Sequence, residues 1–258
     1  MKTTSLSSLL LTLAAFSLSS CGGGGGGGDQ PQEGPCSALK IAGGEGCSSP
    51  PGALTAVVRG VFNCTGTFIT TRHVLTAAHC VYDPGAVSVI SESFAASVQR
   101  VSIHPQYNPF GDSQYDVAVL TIGTVAPVSP VPIETSRPVE EGDQVVAYGY
   151  GLDQDGQLWF EREAEGGDGL KATYLDVTSV SDFSISTISD GSGDTCGGDS
   201  GGPLLRQASD GSYGIVALTR SGPSNCVPYQ PSDSQNTNVQ SSSILNFVLG
   251  AAPGTQVR

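Results

Sequence analysis

From residue 41 onward the chain is written in short apolar runs, each broken by Gly, Pro, Asn or Asp. The runs fall at 54–58, 67–69, 87–90, 98–103, 117–122, 145–148, 174–177, 202–205 and 215–218, and they are rich in Val, Ile, Thr and Tyr. Runs of that length and composition suit the pleated, half-buried surface of a strand better than a helix. Short strands at regular intervals, with turn residues between them, predict an all-β domain, either a barrel or a sandwich. The period changes only near the end. Ile244, Leu245, Phe247, Val248 and Leu249 repeat at helical spacing behind the serines at 241–243, which offer N-caps, and Gly250 is the expected stop. The stretch 153–169 is acidic and glycine-rich and predicts a surface loop. Its Asp153-Gln154-Asp155-Gly156 segment lacks the further ligands of a calcium loop and reads as a turn.

The first forty residues have a different texture. Lys2 precedes an apolar stretch at 9–18 that is too short, and too interrupted by Ser and Thr, to span a bilayer, so it reads as an export signal. It ends in Leu18-Ser19-Ser20-Cys21, which resembles the bacterial lipobox. That resemblance implies cleavage before Cys21 and a lipid on its sulfur, each buried methylene adding about 0.8 kcal/mol to membrane binding. The glycines at 22–28 form a flexible spacer. Gly22 stands where an Asp often signals inner-membrane retention, which points to the outer membrane, at either its periplasmic or its cell-surface face. The expected organisation is a signal peptide at 1–20, a linker and propeptide at 21–40, and one domain at 41–258.

Export changes the meaning of the cysteines. With Cys21 set aside for lipid, Cys36, Cys47, Cys64, Cys80, Cys196 and Cys226 form an even set in an oxidising compartment, enough for three disulfides, and their count alone leaves every pairing open. The formal charge of −13 argues against a nucleic-acid partner, because phosphate binding needs clustered Lys and Arg. His73, His79 and His104 fall in no metal-ligand spacing, and no glycine run has the strand and helix context of a phosphate loop, so no metal and no cofactor are expected.

Three segments carry the chemistry: Leu75-Thr76-Ala77-Ala78-His79-Cys80, Tyr115-Asp116-Val117-Ala118-Val119-Leu120 and Gly197-Gly198-Asp199-Ser200-Gly201-Gly202-Pro203. Taken together, and in the order His, Asp, Ser, they resemble the chymotrypsin/trypsin family, over about 41–250. The resemblance implies two packed six-stranded antiparallel β-barrels with a C-terminal helix. It implies a monomeric serine endopeptidase that acts on proteins or peptides through an acyl-enzyme. The roles make physical sense. A serine hydroxyl is a weak nucleophile until a base takes its proton, and the imidazole of His79 titrates in the right range to do so for Ser200. Asp116 would fix the imidazole tautomer and stabilise the imidazolium. The backbone amides of Gly198 and Ser200 would receive the negative charge that grows on the attacked carbonyl oxygen, and a glycine at 198 eases the backbone turn this needs. His104, within Ile103-His104-Pro105, reads as structural, and His73 as a surface residue.

The same resemblance assigns the periphery. Lys40-Ile41-Ala42-Gly43-Gly44 looks like an activation site, at which cleavage frees the Ile41 amine to pair with Asp199 and order the oxyanion loop. Cys64 pairs with Cys80 and Cys196 with Cys226 in the family pattern; Cys36 and Cys47 are then expected to pair with each other, a departure from that pattern. Asp194, six residues before Ser200, corresponds to the carboxylate that selects Arg or Lys before the scissile bond. The family's Ser-Trp-Gly wall is matched to Ala217-Leu218-Thr219, which makes Thr219 a substrate-binding residue that narrows the pocket mouth, with a second wall near Ser234. Two other readings share parts of this pattern. A binding protein on the same scaffold usually loses one of the three catalytic residues, and a lipase or esterase has another nucleophile motif and residue order.

Overall fold

A computed structural model describes residues 53–59, 62–83, 85–91, 94–112, 114–152, 169–189, 193–222 and 232–258. The predicted signal peptide, the spacer, the activation junction Lys40–Ile41, Cys21, Cys36, Cys47 and Cys226 lie outside these residues, as does nearly all of the predicted loop at 153–169.

The described strands close into two antiparallel barrels of six. The first holds β1 (Leu54–Arg59), β2 (Phe62–Thr70), β3 (His73–Thr76), β4 (Ser88–Ser91), β5 (Phe94–Ile103) and β6 (Ala118–Ile122), in the order β1-β2-β3-β6-β5-β4. The second holds β7 (Gln144–Gly149), β8 (Lys171–Val180), β9 (Ser184–Ile188), β10 (Pro203–Gln207), β11 (Tyr213–Ser221) and β12 (Asp233–Asn238), in the order β10-β11-β12-β9-β8-β7. Closure removes the exposed strand edges that would otherwise pair with other chains. Among the described residues, a 3-10 turn, Ala78–Cys80, follows β3, and an α-helix, α1 (Ser242–Ala251), lies after β12. It runs one residue past the expected stop at Gly250 and buries Ile244 and Val248.

The barrel and sandwich alternatives are thus resolved, and the alternation of side chains explains how. In β7, Val145 and Ala147 point into the core of the second barrel, while Val146 and Tyr148 join the other core, which reaches from the first barrel to α1. Leu204 and Leu205 in β10 divide in the same way. Both faces of these strands are buried, so they read as unbroken apolar runs rather than alternating ones. Three strands lie outside the predicted runs, and β3 (HVLT), only four residues long, is one. β9 (SISTI) is short and half polar, and β12 (DSQNTN) has no apolar residue at all.

Candidate active site

The nucleophile loop of the second barrel is built against β2 of the first, and Thr65 makes the join. Its amide donates to the carbonyl of Ser200 at 2.9 Å, its hydroxyl donates to the carbonyl of Gly198 at 3.0 Å, and the same hydroxyl accepts the amide of Tyr150 at 2.9 Å. Gly201 lies so close to this seam that a β-carbon there would stand 2.6 Å from the Thr65 carbonyl oxygen and 2.7 Å from the Ala77 nitrogen, and its φ of +80° is one that side chains disfavour. A glycine is therefore required immediately after Ser200.

His79 sits in the 3-10 turn after β3, next to the Cys64–Cys80 disulfide, whose Cα atoms are 6.2 Å apart. Asp116 is buried at the entry to β6 and holds His79 twice: Oδ2 accepts from Nδ1 at 2.6 Å, and Oδ1 accepts the His79 backbone amide at 2.9 Å. A carboxylate only accepts, so the ring proton belongs on Nδ1 and Nε2 keeps its lone pair for a substrate or nucleophile proton. Asp116 is itself aimed by its neighbours. Thr237 in β12 donates to its carbonyl at 3.1 Å. Tyr115, just before it, adopts φ +56°, rare for a residue with a side chain, and its ring is clamped between His104, stacked at 4.6 Å, and Phe183 at 4.8 Å. His104 is buried in that structural role, while His73 is the first residue of β3 and half-buried, its Nδ1 within 2.7 Å of the Thr70 hydroxyl.

His79, Asp116 and Ser200 line one cavity of about 570 Å³. A second hollow of about 630 Å³, against the start of α1, holds none of the three. At Gly198 φ is +97°, and a β-carbon would meet Gly151 Cα at 2.8 Å. Its carbonyl is tied to Thr65, and the amides of Gly198 and Ser200 have no acceptor among the described residues. They are left for a ligand oxygen. Asp199 is fully buried, with Oδ1 accepting the Gly151 amide at 2.8 Å and Oδ2 the Cys196 amide at 2.7 Å. Cys196 is disulfide-bonded.

Asp194 is buried behind this loop. Its Oδ1 accepts the Thr195 amide at 2.7 Å and the Ser234 hydroxyl at 3.2 Å, and burial raises its pKa to about 6. The Ser234 hydroxyl, brought in by β12, is also 3.0 Å from that of Thr195.

The expected wall at Ala217-Leu218-Thr219 needs correcting. Thr219 is buried in β11, its amide donating to Gly202 and its carbonyl accepting from Gly201, both behind the nucleophile rather than at the cavity. The residues that line the cavity are Arg220 and Ser221. The reason is a bulge in the β11–β12 pairing between Thr219 and Ser221, which turns the Arg220 side chain toward His79 and Asp116. Burial lowers the Arg220 pKa, and Asp116 and Asp112 oppose that shift. Only the irregular register distinguishes Arg220, and register is not visible in the sequence.

Among known proteins, a family model described as Trypsin matches residues 41–236. Kallikrein-2 of Homo sapiens is 26% identical over 229 residues, 76% of this chain and 85% of the relative. Serine protease filzig of Drosophila melanogaster is 27% identical over 229 residues, but this chain spans only 13% of it. Trypsin of Saccharopolyspora erythraea is 29% identical over 162 residues, 55% of this chain and 70% of the relative. The solved structure of neuropsin, a serine protease expressed in mouse brain, superposes with a TM-score of 0.59 at 22% identity, covering 74% of this chain and 90% of that one. The match across most of the domain shows that this chain belongs to the trypsin family of serine proteases.

Proposed function

We propose that the chain hydrolyses peptide bonds as an endopeptidase with Ser200 as nucleophile, His79 as base and Asp116 as its anchor. Ser200 Oγ attacks the scissile carbonyl as His79 Nε2 takes its proton. The amides of Gly198 and Ser200 hold the oxyanion. The same proton then passes to the leaving amine, and water, deprotonated by His79, releases the acyl group. The observation that carries the reading is the double grip of Asp116 on His79 inside the cavity that also holds Ser200. A fluorophosphonate probe should label Ser200 and fail on a His79→Ala variant. Intact, folded protein that resists labelling would refute it and favour a binding role.

Three finer points belong to the same proposal. The buried carboxylate of Asp194 supports cleavage after Arg or Lys. The Lys40–Ile41 junction, read with Asp199, supports synthesis as a zymogen, so N-terminal sequencing of active enzyme should begin at Ile41. The segment ending in Cys21 supports a lipid anchor in the outer membrane, and a Cys21→Ser variant should leave the detergent phase on phase separation.

A further inference from the structure

We propose that Ser234 makes the primary pocket selective for lysine over arginine. The inference rests on the basic-residue preference just proposed and specifies it. A guanidinium recognises a carboxylate best as a fork, two parallel N–H groups meeting two oxygens, whereas an ammonium is a compact charge with three rotatable donors. Asp194 cannot present two open oxygens. Both acceptor sites of Oδ1 are taken, one by the Thr195 amide at 2.7 Å and one by the Ser234 hydroxyl at 3.2 Å. Oδ2 is buried and has no partner among the described residues.

The hydroxyls complete the match. Ser234 spends its proton on Asp194, so at the 3.0 Å contact between them it is Thr195 that donates to Ser234. The Thr195 oxygen, within hydrogen-bonding reach of the carboxylate, keeps its lone pairs as an acceptor. One carboxylate oxygen and one hydroxyl oxygen suit the donors of an ammonium and do not form the flat pair that a guanidinium needs. The residue before the expected activation bond is itself a lysine, Lys40.

The test uses protein processed at Ile41, titrated with the fluorophosphonate probe, and a pair of peptide p-nitroanilides differing only in Lys or Arg before the anilide. Wild type should show a Lys:Arg ratio of kcat/KM above one. Ser234→Gly, which frees an acceptor site on Oδ1 and adds space, should move that ratio toward Arg by about tenfold. Ser234→Ala, which keeps the β-carbon, should move it in the same direction by less. An Arg preference in wild type, or a ratio that neither variant changes, would overturn the inference. So would labelled enzyme that cleaves neither substrate, which would also remove the basic-residue reading but leave the peptidase standing. Failure of Ser200 to label would instead bring down the peptidase reading and this inference with it.

Discussion

Thr65→Val keeps the outline of the side chain and removes one oxygen, and that oxygen links the two barrels at the nucleophile loop. It donates to Gly198 at 3.0 Å and accepts from the Tyr150 amide at 2.9 Å. The backbone bonds of residue 65, to Ser200 at 2.9 Å and from the Thr76 hydroxyl at 2.8 Å, survive the substitution. Losing the bond to Gly198 costs about 1 kcal/mol, and stranding the donor of the buried Tyr150 costs about 1–3 kcal/mol more. For a domain of this size each kcal/mol moves Tm by about 2–4 °C, so thermal unfolding followed by circular dichroism, in a Ser200→Ala background that prevents autolysis, should show a fall of roughly 5–15 °C.

Activity should respond separately. Gly198 loses the bond that fixes its carbonyl, and with it the aim of its own amide at the developing oxyanion. An oxyanion donor acts in the transition state, so kcat should fall about tenfold while KM stays nearly constant. Thr65→Ser restores the hydroxyl and should recover most of both losses. A folded Val variant whose Tm lies within about 1 °C of the parent and whose kcat is unchanged would refute the claim that this hydroxyl joins the barrels.

Other perturbations test other parts of the structure. Burial raises the Asp194 pKa from 3.8 to about 6, so folding favours its protonated form; its contribution to stability is complete below about pH 4 and is lost as pH rises through about 6. Asp194→Asn should therefore raise Tm relative to wild type above about pH 6 and have little effect below about pH 4, while abolishing cleavage after basic residues. In the wild type, KM for such substrates should fall as pH rises through about 6, where the carboxylate ionises. Replacing both Cys64 and Cys80 by Ala opens a loop with a sequence separation of 16 and should cost about 3 kcal/mol, a Tm loss of roughly 6–12 °C by calorimetry. Gly201→Ala forces a β-carbon against backbone atoms of Thr65 and Ala77 at a left-handed φ, and should leave soluble protein that reacts with the fluorophosphonate at least tenfold more slowly.

Much of this fold could be read from apolar runs, because nine of the strands, all but β3, β9 and β12, contain a run long enough to stand out. β12 could not, and its chemistry shows why. Four of its six side chains are buried, and they are held by hydrogen bonds rather than by apolar contact: Asn236 donates to the Ile185 carbonyl and the Thr187 hydroxyl, Thr237 to the Asp116 carbonyl, and Asn238 to the Ser181 carbonyl. A polar hexapeptide with such partners folds as a strand, yet without them it reads as a loop. The partners come from 49 to 121 residues away, beyond the reach of any local window.

The active site divides along the same line. His79, Asp116 and Ser200 stood out because each chemical role accepts few residue types, and because Gly198, Gly201 and Gly202 answer to close backbone approaches that no other residue fits. The walls of the specificity pocket obey a weaker constraint. Any small or polar residue can stand at 195, 220 or 234, and what it does depends on register. Thr219 and Arg220 differ by one position, yet the bulge buries the first behind the nucleophile and turns the second into the cavity. Pairing with Gly201 and Gly202 on one side and with β12 on the other fixes that register, and β12 is the strand whose sequence gives least away. The proposed catalytic roles therefore rest on residue type, and the proposed substrate preference on the hydrogen bonds of a polar strand. Substitutions at Ser234 should change which peptide bond is chosen long before they change how it is broken, whereas those at Thr237, which holds the Asp116 carbonyl, should slow the chemistry itself.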